Sequence, residues 1–549
     1  MIKTIITLGI FFSLFTACND NSSSNGNSSS KSSKNDTAEK KTTKRDISIS
    51  ASNAYNDIFL DSMVLVKFFA DNKTDADLLR RMTSLYNARN YQFAWFTKNG
   101  LTEQARGFWN MHNYQTTYAS DSSLKDKSLQ KLMDGYSAEE DSFTVSSSDK
   151  NIINTELKLT QHFIMYMLNS VEDGYVKRKE MERFIPRKKE DPLALADSLL
   201  SKKHKDNKYY EDINSSYKGL KEKLATYLAI AKQGGWPQIT AKASKLKKGS
   251  SGADVALLKK RLSLTGDMAA DTTPAFNEAL EAGIKSFQSR YGYTPTGVIT
   301  DGLIKDMNVP VLNRIKLLLL NMGRMQWMIN EPKGQLIVVN IPEFILHVKD
   351  GVTKVFDMPV VVGKDGHNTM MFTGNLNQVV FSPYWNVPPS IVKKEIMPAM
   401  SRNGNYLASH HMEITGNDGG LPVIRQLPGD DNSLGKVKFL FPNSFNIYFH
   451  DTPAKSLFEK DKRAFSHGCI RLSDPVKMAN YLLEGDPEWT PSKIEEAMNS
   501  GNEKYVKLKK SVPVLITYYT AWVDDNGALH FADDIYGHDK VAISKMFIN

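Results

Sequence analysis

From about residue 49 to residue 239, apolar residues recur at three- and four-residue steps. Phe59, Met63, Val66 and Phe69 form one such series, and Leu157, Phe163, Ile164 and Leu168 another. That spacing is the mark of amphipathic helices with one face turned to a core. The aromatic stretch Asn90 to Phe96 is read as core material ahead of the turn Asn99-Gly100, and Gly234-Gly235-Trp236-Pro237 combines a helix stop with a breaker. A helical domain is therefore predicted over 49–240, with no chemistry visible in it. A compact unit follows at 241–309. There the turn Lys248-Gly249-Ser250-Ser251-Gly252 leads into a helix bearing Val255, Leu257, Leu258, Arg261 and Leu262, and a second helix carries Leu280, Ile284 and Phe287. The next helix, within 310–332, has Ile315, Leu318, Leu319, Met322 and Met325. It is expected to pack back onto the first domain, which makes the small unit an insertion.

At Gln335 the period changes from that of a helix to that of a strand. Leu336 to Ile341, Glu343 to Val348 and Val352 to Phe356 are β-rich runs, the last two joined by Asp350-Gly351. Further strands are predicted at Met358–Val362, Gln378–Phe381, Phe445–Phe449 and Val514–Trp522, with a helix opened by Asp474-Pro475. The predicted fold class is thus multidomain α+β, with a mainly β C-terminal domain over 333–549. Gly/Asn-rich loops between about 393 and 443 interrupt it, and so long an insertion is expected to act as a lid or cap.

Length and composition narrow the picture further. A chain of 549 residues with 41% hydrophobic and 10% aromatic residues is globular and long enough for three or four domains. The net charge of +9 owes much to the run from Lys31 to Arg45, and no basic helix or aromatic–basic strand accompanies it, so nucleic acid is not an expected partner. Residues 1–17 read as a signal peptide of the lipoprotein type, with Lys3 ahead of an apolar run too short to span a bilayer. Thr16-Ala17 then precedes Cys18, the expected lipidation site. Residues 18–48 would form a disordered tether reaching about 90 Å when extended. The expected location is the periplasm of a Gram-negative bacterium, with the membrane as partner through the N-terminal lipid anchor. Of the two cysteines, Cys469 is then left without an intramolecular disulfide partner.

Cys469 stands in Ser466-His467-Gly468-Cys469-Ile470-Arg471, shortly after Tyr448-Phe449-His450-Asp451-Thr452-Pro453. A thiol attacks acyl carbonyls as thiolate, and an imidazole in reach can take its proton to leave an ion pair. His467 shares a face with Cys469 if the segment is extended, but near neighbours on one strand seldom meet with good geometry. His450, from an adjacent strand, is therefore assigned as general base and acid, and His467 as a substrate-side residue. Asp451 would orient His450 through its carbonyl or its carboxylate. The N–H groups of Gly468 and Cys469 are candidate oxyanion donors. Two duller readings compete: a zinc site built from His450, Asp451, His467 and Cys469, and a buried structural cysteine. The spacing is unlike a paired-ligand knuckle, and Ser-His-Gly is poor core material.

His450 together with Ser466-His467-Gly468-Cys469-Ile470-Arg471 resembles the active-site signature of YkuD-type L,D-transpeptidases. Tyr384-Trp385-Asn386-Val387-Pro388-Pro389-Ser390, Arg425 to Gly429 and Gly435 to Phe439 are similar to the large YcbB-like branch. The 241–309 unit resembles a three-helix peptidoglycan-binding domain. The resemblance implies a helical scaffold, a peptidoglycan-binding-like domain and a catalytic domain with a capping insertion. It also implies a cysteine thioester acyl-enzyme formed on a donor stem tetrapeptide with loss of D-Ala, then 3→3 cross-linking to an acceptor stem. Ser466, His467, Arg471, Tyr448, Trp385 and Asn386 would contact substrate, with an internal ion pair as the other reading of Arg471. Carbapenems are the expected inhibitors, and neither a metal nor an organic cofactor is implied. The alternatives are L,D-carboxypeptidase, exchange or protein-detaching chemistry at the same site, and a non-catalytic wall-binding lipoprotein.

Overall fold

The computed structural model describes residues 41–117, 122–138, 143–170, 184–201, 215–327 and 334–548. The expected signal, Cys18 and most of the expected tether lie outside the described residues.

The helical domain begins with α1 (Ser62–Asn72) and α2 (Ala76–Ala88), each opened by an aspartate whose carboxylate accepts backbone N–H groups of the first turn. The buried face of α1 is Leu65 and Phe68, while Met63 and Val66 are 66% and 58% exposed. The face predicted from Phe59, Met63 and Val66 is therefore wrong. Phe59 is not helical but bridges Gln92 as extended chain, so counting from it shifts the helical frame. Helices α3 (Glu103–Thr117), α4 (Lys127–Ala138) and α5 (Lys150–Ser170) enclose Phe93, Trp95 and Phe96, all fully buried. The buried Glu156 carboxylate accepts from Ala94 N and Trp95 N at 2.6 and 2.9 Å, which fixes that aromatic segment against α5.

After α6 (Pro192–Leu200) and α7 (Ser215–Lys232) comes the small unit. Its helices α8 (Ala253–Leu264), α9 (Glu278–Arg290) and α10 (Asp301–Met307) share a core of Val255, Leu258, Leu262, Leu280, Ile284, Phe287 and Leu303. Helix α11 (Val311–Met325) then packs Ile315, Leu318 and Met322 against Tyr217, Leu220 and Leu224 of α7. The small unit is thus inserted between two packed helices.

The C-terminal domain is built on one mixed sheet. Its strands are β1 (Gln335–Asn340), β2 (Ile345–Asp350), β3 (Thr353–Gly363), β4 (Phe372–Phe381), β8 (Val437–Leu440), β9 (Phe449–His450), β10 (Ala464–Ser466), β11 (Ile470–Leu472) and β12 (Lys504–Thr517). Their order is β10-β3-β11-β9-β8-β4-β12-β1-β2, and a further pairing joins β2, at one end, to β3, the strand next to the other. One face packs Val360, Val379, Phe439, Phe449, Ile470 and Leu472 against Met478 and Ala479 of α12 (Pro475–Leu482) and Ile494 and Met498 of α13 (Pro491–Asn499). Burial of these large apolar side chains, each worth about 1.5–3 kcal/mol, holds the sheet to its helices. Residues from β13 (Ala521–Val523), β14 (Leu529–Phe531) and the chain after α14 (His538–Met546) leave this core. Ala521, Leu529, Phe531 and Phe547 join the α7–α11 cluster instead.

The insertion is ordered, and its boundaries differ from those predicted. It starts at β5 (Trp385–Asn386), continues through a helical stretch at 389–402, and closes with the hairpin β6 (Met412–Asp418) and β7 (Leu421–Gln426). Its own small core contains Val387, Ile391, Val392, Ile396 and Ile424. Residues 437–440 do not belong to it, because β8 pairs with β4 and β9 in the main sheet. The period-two signal of four residues was too short to separate β8 from the loops before it.

Candidate active site

Strands β9 and β11 are parallel neighbours, with Phe449 opposite Ile470 and His450 opposite Arg471. Alternation along each strand therefore turns Phe449, Ile470 and Leu472 to the core and leaves Tyr448, His450, Cys469 and Arg471 on the other face. Lys438 of β8 is paired with His450 and lies on that same face. Strand β9 is short, and the strand predicted at 445–449 is mostly a turn. The Asn443 side chain accepts from Phe445 N and Ile447 N at 3.0 and 3.2 Å, and donates to Phe441 O and Ile447 O at 2.7 and 2.8 Å. Asn446 follows with φ of 54°, which ends the extended run.

His450 is buried, and its Nδ1 lies 2.5 Å from the Asp451 carbonyl oxygen. A carbonyl only accepts, so Nδ1 carries the proton and Nε2 keeps its lone pair. Burial, and then the Arg471 charge, push the imidazole pKa down to about 3. The ring is therefore neutral across the physiological range. The Asp451 carboxylate does not touch the ring. It accepts from Thr452 N at 2.7 Å, Lys436 N at 2.9 Å and Lys455 Nζ at 2.7 Å, a set that fixes the backbone whose carbonyl meets Nδ1. Gly435 makes this approach possible, because it has φ of 60° and a Cβ there would collide with the Asp451 carboxylate.

The Ser466–Cys469 turn is internally tied. Ser466, expected on the substrate side, is buried; its Oγ donates to Cys469 O at 2.5 Å and accepts from Gly468 N at 3.1 Å. The hydroxyl is fully used in shaping the turn. The same bond corrects the role expected for Gly468, since its N–H is already spent on Ser466 and does not point free for an oxyanion. Gly468 has φ of 109°, and its carbonyl accepts from Thr369 Oγ1 at 2.7 Å. Thr369 Oγ1 also receives Gly363 N at 2.9 Å, and the Tyr536 hydroxyl donates to Gly363 O at 2.7 Å. Sequence reading missed Thr369 and Tyr536, which lie far from Cys469 along the chain and carry no motif.

Cys469 is half-buried, and its Sγ donates to Asn446 O at 3.6 Å rather than to an imidazole. Burial pushes the thiol pKa up to about 11, against the opposing hydrogen bonds from Tyr448 and the charge of Arg471. The thiolate–imidazolium pair expected from sequence is therefore absent in this state. Register explains it: continuing the pairing of Phe449 with Ile470 sets Cys469 opposite Tyr448, and His450 is its diagonal neighbour. The thiol and imidazole face one side of the sheet as a neutral acid and a neutral base.

Arg471 makes no ion pair among the described residues, and its buried Nε has no hydrogen-bond partner. The internal pair considered for it is not formed. His467 Nε2 contacts Glu395 Oε1 of the cap at 2.8 Å, and its ring meets His367 edge-on at 4.8 Å. Trp385 and Asn386 lie in β5, where Trp385 packs on the cap core and Asn386 is exposed; no described contact joins either to Cys469. Glu395 was not foreseen, because a glutamate in a loop-like stretch gives no signal of its own.

Residues 334–491 match the YkuD family, described as an L,D-transpeptidase catalytic domain. That match lies within the C-terminal domain. Residues 80–224 match a family described as "Scaffold domain", and 251–307 one described as "Putative peptidoglycan binding domain". A Haemophilus influenzae protein named "Putative L,D-transpeptidase" is 32% identical over 221 residues, which is 37% of this chain and 44% of that protein. The chain therefore spans less than half of that relative. Among solved structures, an L,D-transpeptidase from Mycobacterium smegmatis is 16% identical, covering 33% of this chain and 58% of that one with a TM-score of 0.19. Another from Stackebrandtia nassauensis is 16% identical, covering 51% and 96% with a TM-score of 0.20. The matched residues include the sheet face that holds Cys469, His450 and Arg471.

Proposed function

We propose that this L,D-transpeptidase domain transfers acyl groups between peptidoglycan stem peptides through a thioester on Cys469, forming 3→3 cross-links. The observation that carries this reading is His450, held with Nδ1 protonated and Nε2 free on the face that bears the only described thiol. As Sγ attacks the carbonyl before the terminal D-Ala of a donor tetrapeptide, its proton passes to Nε2. The tetrahedral intermediate collapses as the imidazolium protonates the leaving amine of D-Ala, and the thioester remains. A side-chain amine of an acceptor stem then attacks the thioester. It gives a proton to Nε2, and that proton returns to the departing sulfur.

Arg471 binds a substrate carboxylate in this scheme, where its guanidinium finds the partner it lacks in the free protein. Neutralising Arg471 also removes one of the influences that depress His450, so donor binding makes the base stronger at the moment it is needed. The 251–307 unit holds the enzyme on the wall. Carbapenems, whose strained carbonyl presents the same target to sulfur, acylate Cys469. The chain is exported by its first seventeen residues and tethered to a periplasmic membrane face through lipid on Cys18. Exchange of Cys18 for Ala is then expected to move the protein from the membrane to the soluble periplasmic fraction.

Incubation of the purified chain with disaccharide-tetrapeptide, followed by mass spectrometry, tests the reaction. A cross-linked dimer lacking one D-Ala is expected. Tripeptide alone would replace the cross-linking reading by hydrolysis at the same cysteine, and unchanged substrate would leave a wall-binding protein.

A further inference from the structure

Three guanidiniums meet an aromatic cluster where α7, α8, α9, α11 and β14 come together. Arg290 is matched: Asp267 accepts from its Nε at 2.8 Å and its Nη2 at 2.6 Å. Arg261 and Arg314 are also buried, yet neither has a carboxylate within 4.0 Å among the described residues. Arg261 donates from Nε to Met307 O at 2.8 Å and from Nη1 to Thr265 Oγ1 at 3.2 Å, and it stacks 4.0 Å from the Trp236 ring centre. Its Nη2 has no partner. Arg314 donates from Nη2 to Asp306 O at 3.1 Å and lies 4.9 Å from Tyr291 and 4.7 Å from Phe531, and its Nε has no partner either. The hydroxyls of Tyr227 and Tyr291 are buried and equally unpartnered, and both rings adjoin Phe531, at 6.2 and 5.2 Å.

Two unsatisfied guanidinium N–H groups and two unsatisfied phenols thus share one enclosed cluster with an excess of positive charge. Guanidinium nitrogen cannot accept, and no described carboxylate or carbonyl meets these four atoms. Buried donors without an acceptor are costly, and buried unmatched cations more so. A single spherical anion accepts from several donors at once, carries the missing charge, and leaves no oxygen of its own to satisfy among aromatic walls. A divalent oxyanion would need more donors and a larger dehydration. We propose that this cluster binds a small monovalent anion of the halide class. The bound anion fastens the helical domain (Tyr227), the small unit (Arg261, Tyr291), the connecting helix (Arg314) and the C-terminal hairpin (Phe531) to one another.

The full chain should melt about 1–3 °C higher in sodium chloride than in sodium gluconate of equal ionic strength, with a saturable dependence on chloride. Tyr227→Phe combined with Tyr291→Phe keeps both rings and removes two donors. It should reduce the chloride-specific rise by about half or more, while an Arg261→Met variant, if it folds, should lose it. Crystals grown in bromide should show an anomalous peak beside Arg261 Nη2 and Arg314 Nε. Equal melting in the two salts, an undiminished chloride response in the double phenylalanine variant, or solvent without anomalous signal at that place would each overturn the proposal.

Discussion

At the scale of single residues, the site holds a neutral imidazole and a neutral thiol, set chiefly by burial and adjusted by Arg471. Its charge lowers both groups, so Arg471→Gln is expected to raise the pKa of His450 from about 3 and to raise that of Cys469 above about 11. Nuclear magnetic resonance titration of the His450 ring, with thiol alkylation followed against pH, checks both directions. In turnover the same variant should lose about 10–100-fold in kcat/KM, the worth of a charge-assisted fork to a carboxylate. Ser466→Ala leaves the Gly468 N–H and the Cys469 carbonyl unsatisfied inside the domain, so a loss of about 1–3 kcal/mol in chemical denaturation is expected. Cys469 stood out in the sequence because it is one of only two cysteines, and the structure sets it on one sheet face with His450. The partner of the thiol was not legible: whether Cys469 faces His450 or Tyr448 depends on a one-residue register between distant segments. The second layer was illegible for a similar reason, since the hydroxyls of Thr369 and Tyr536 meet backbone atoms of Gly468 and Gly363, which any sequence would present.

At the scale of elements, the cap meets the signature in a side-chain contact, His467 to Glu395. Glu395→Ala should leave the cap folded on its own apolar core but loosen its hold on the β10–β11 turn. Faster amide exchange across 389–402, with a change in KM larger than the change in kcat, is the expected outcome, and unchanged exchange would show that the contact does not restrain the cap. The main sheet carries a separate pH response. His347 of β2 lies between Glu343 at 3.2 Å and Asp357 at 2.8 Å, and although burial opposes it, these partners raise the imidazole pKa to about 9. The folded form holds this proton more tightly than the unfolded chain. Its stabilisation is complete below about pH 6.5 and is lost as pH rises through about 9, a change of up to about 3 kcal/mol. His347→Asn should flatten the alkaline limb of the denaturation midpoint against pH. The long strands of the main sheet and the presence of the helices were readable from hydrophobic periodicity, but the buried face of α1 was not. The short strands β8, β9 and β11 and the cap hairpin were not, because two to four residues of alternation cannot outweigh neighbouring glycine and asparagine.

At the scale of the molecule, the domains are joined by buried charge as well as by apolar contact. Arg324 of α11 donates to Glu103 of the helical domain at 2.8 Å and to Asp539 of α14 at 2.6 Å, with all three groups largely buried. Removing the cation strands two carboxylates, so Arg324→Met should cost about 3–5 kcal/mol and separate the unfolding of the helical domain from that of the rest. Calorimetry would show one transition becoming two. The return of residues 521–547 to the α7–α11 core, which ties the end of the chain to its helical half, had no signature in sequence, since a short hairpin does not reveal which core receives it. Whether Cys469 carries the acyl group is read by intact-protein mass spectrometry with disaccharide-tetrapeptide. A mass increase of the donor less D-Ala is expected, mapped to the peptide containing Cys469 and absent from Cys469→Ala. Release of D-Ala at an undiminished rate by Cys469→Ala would contradict it.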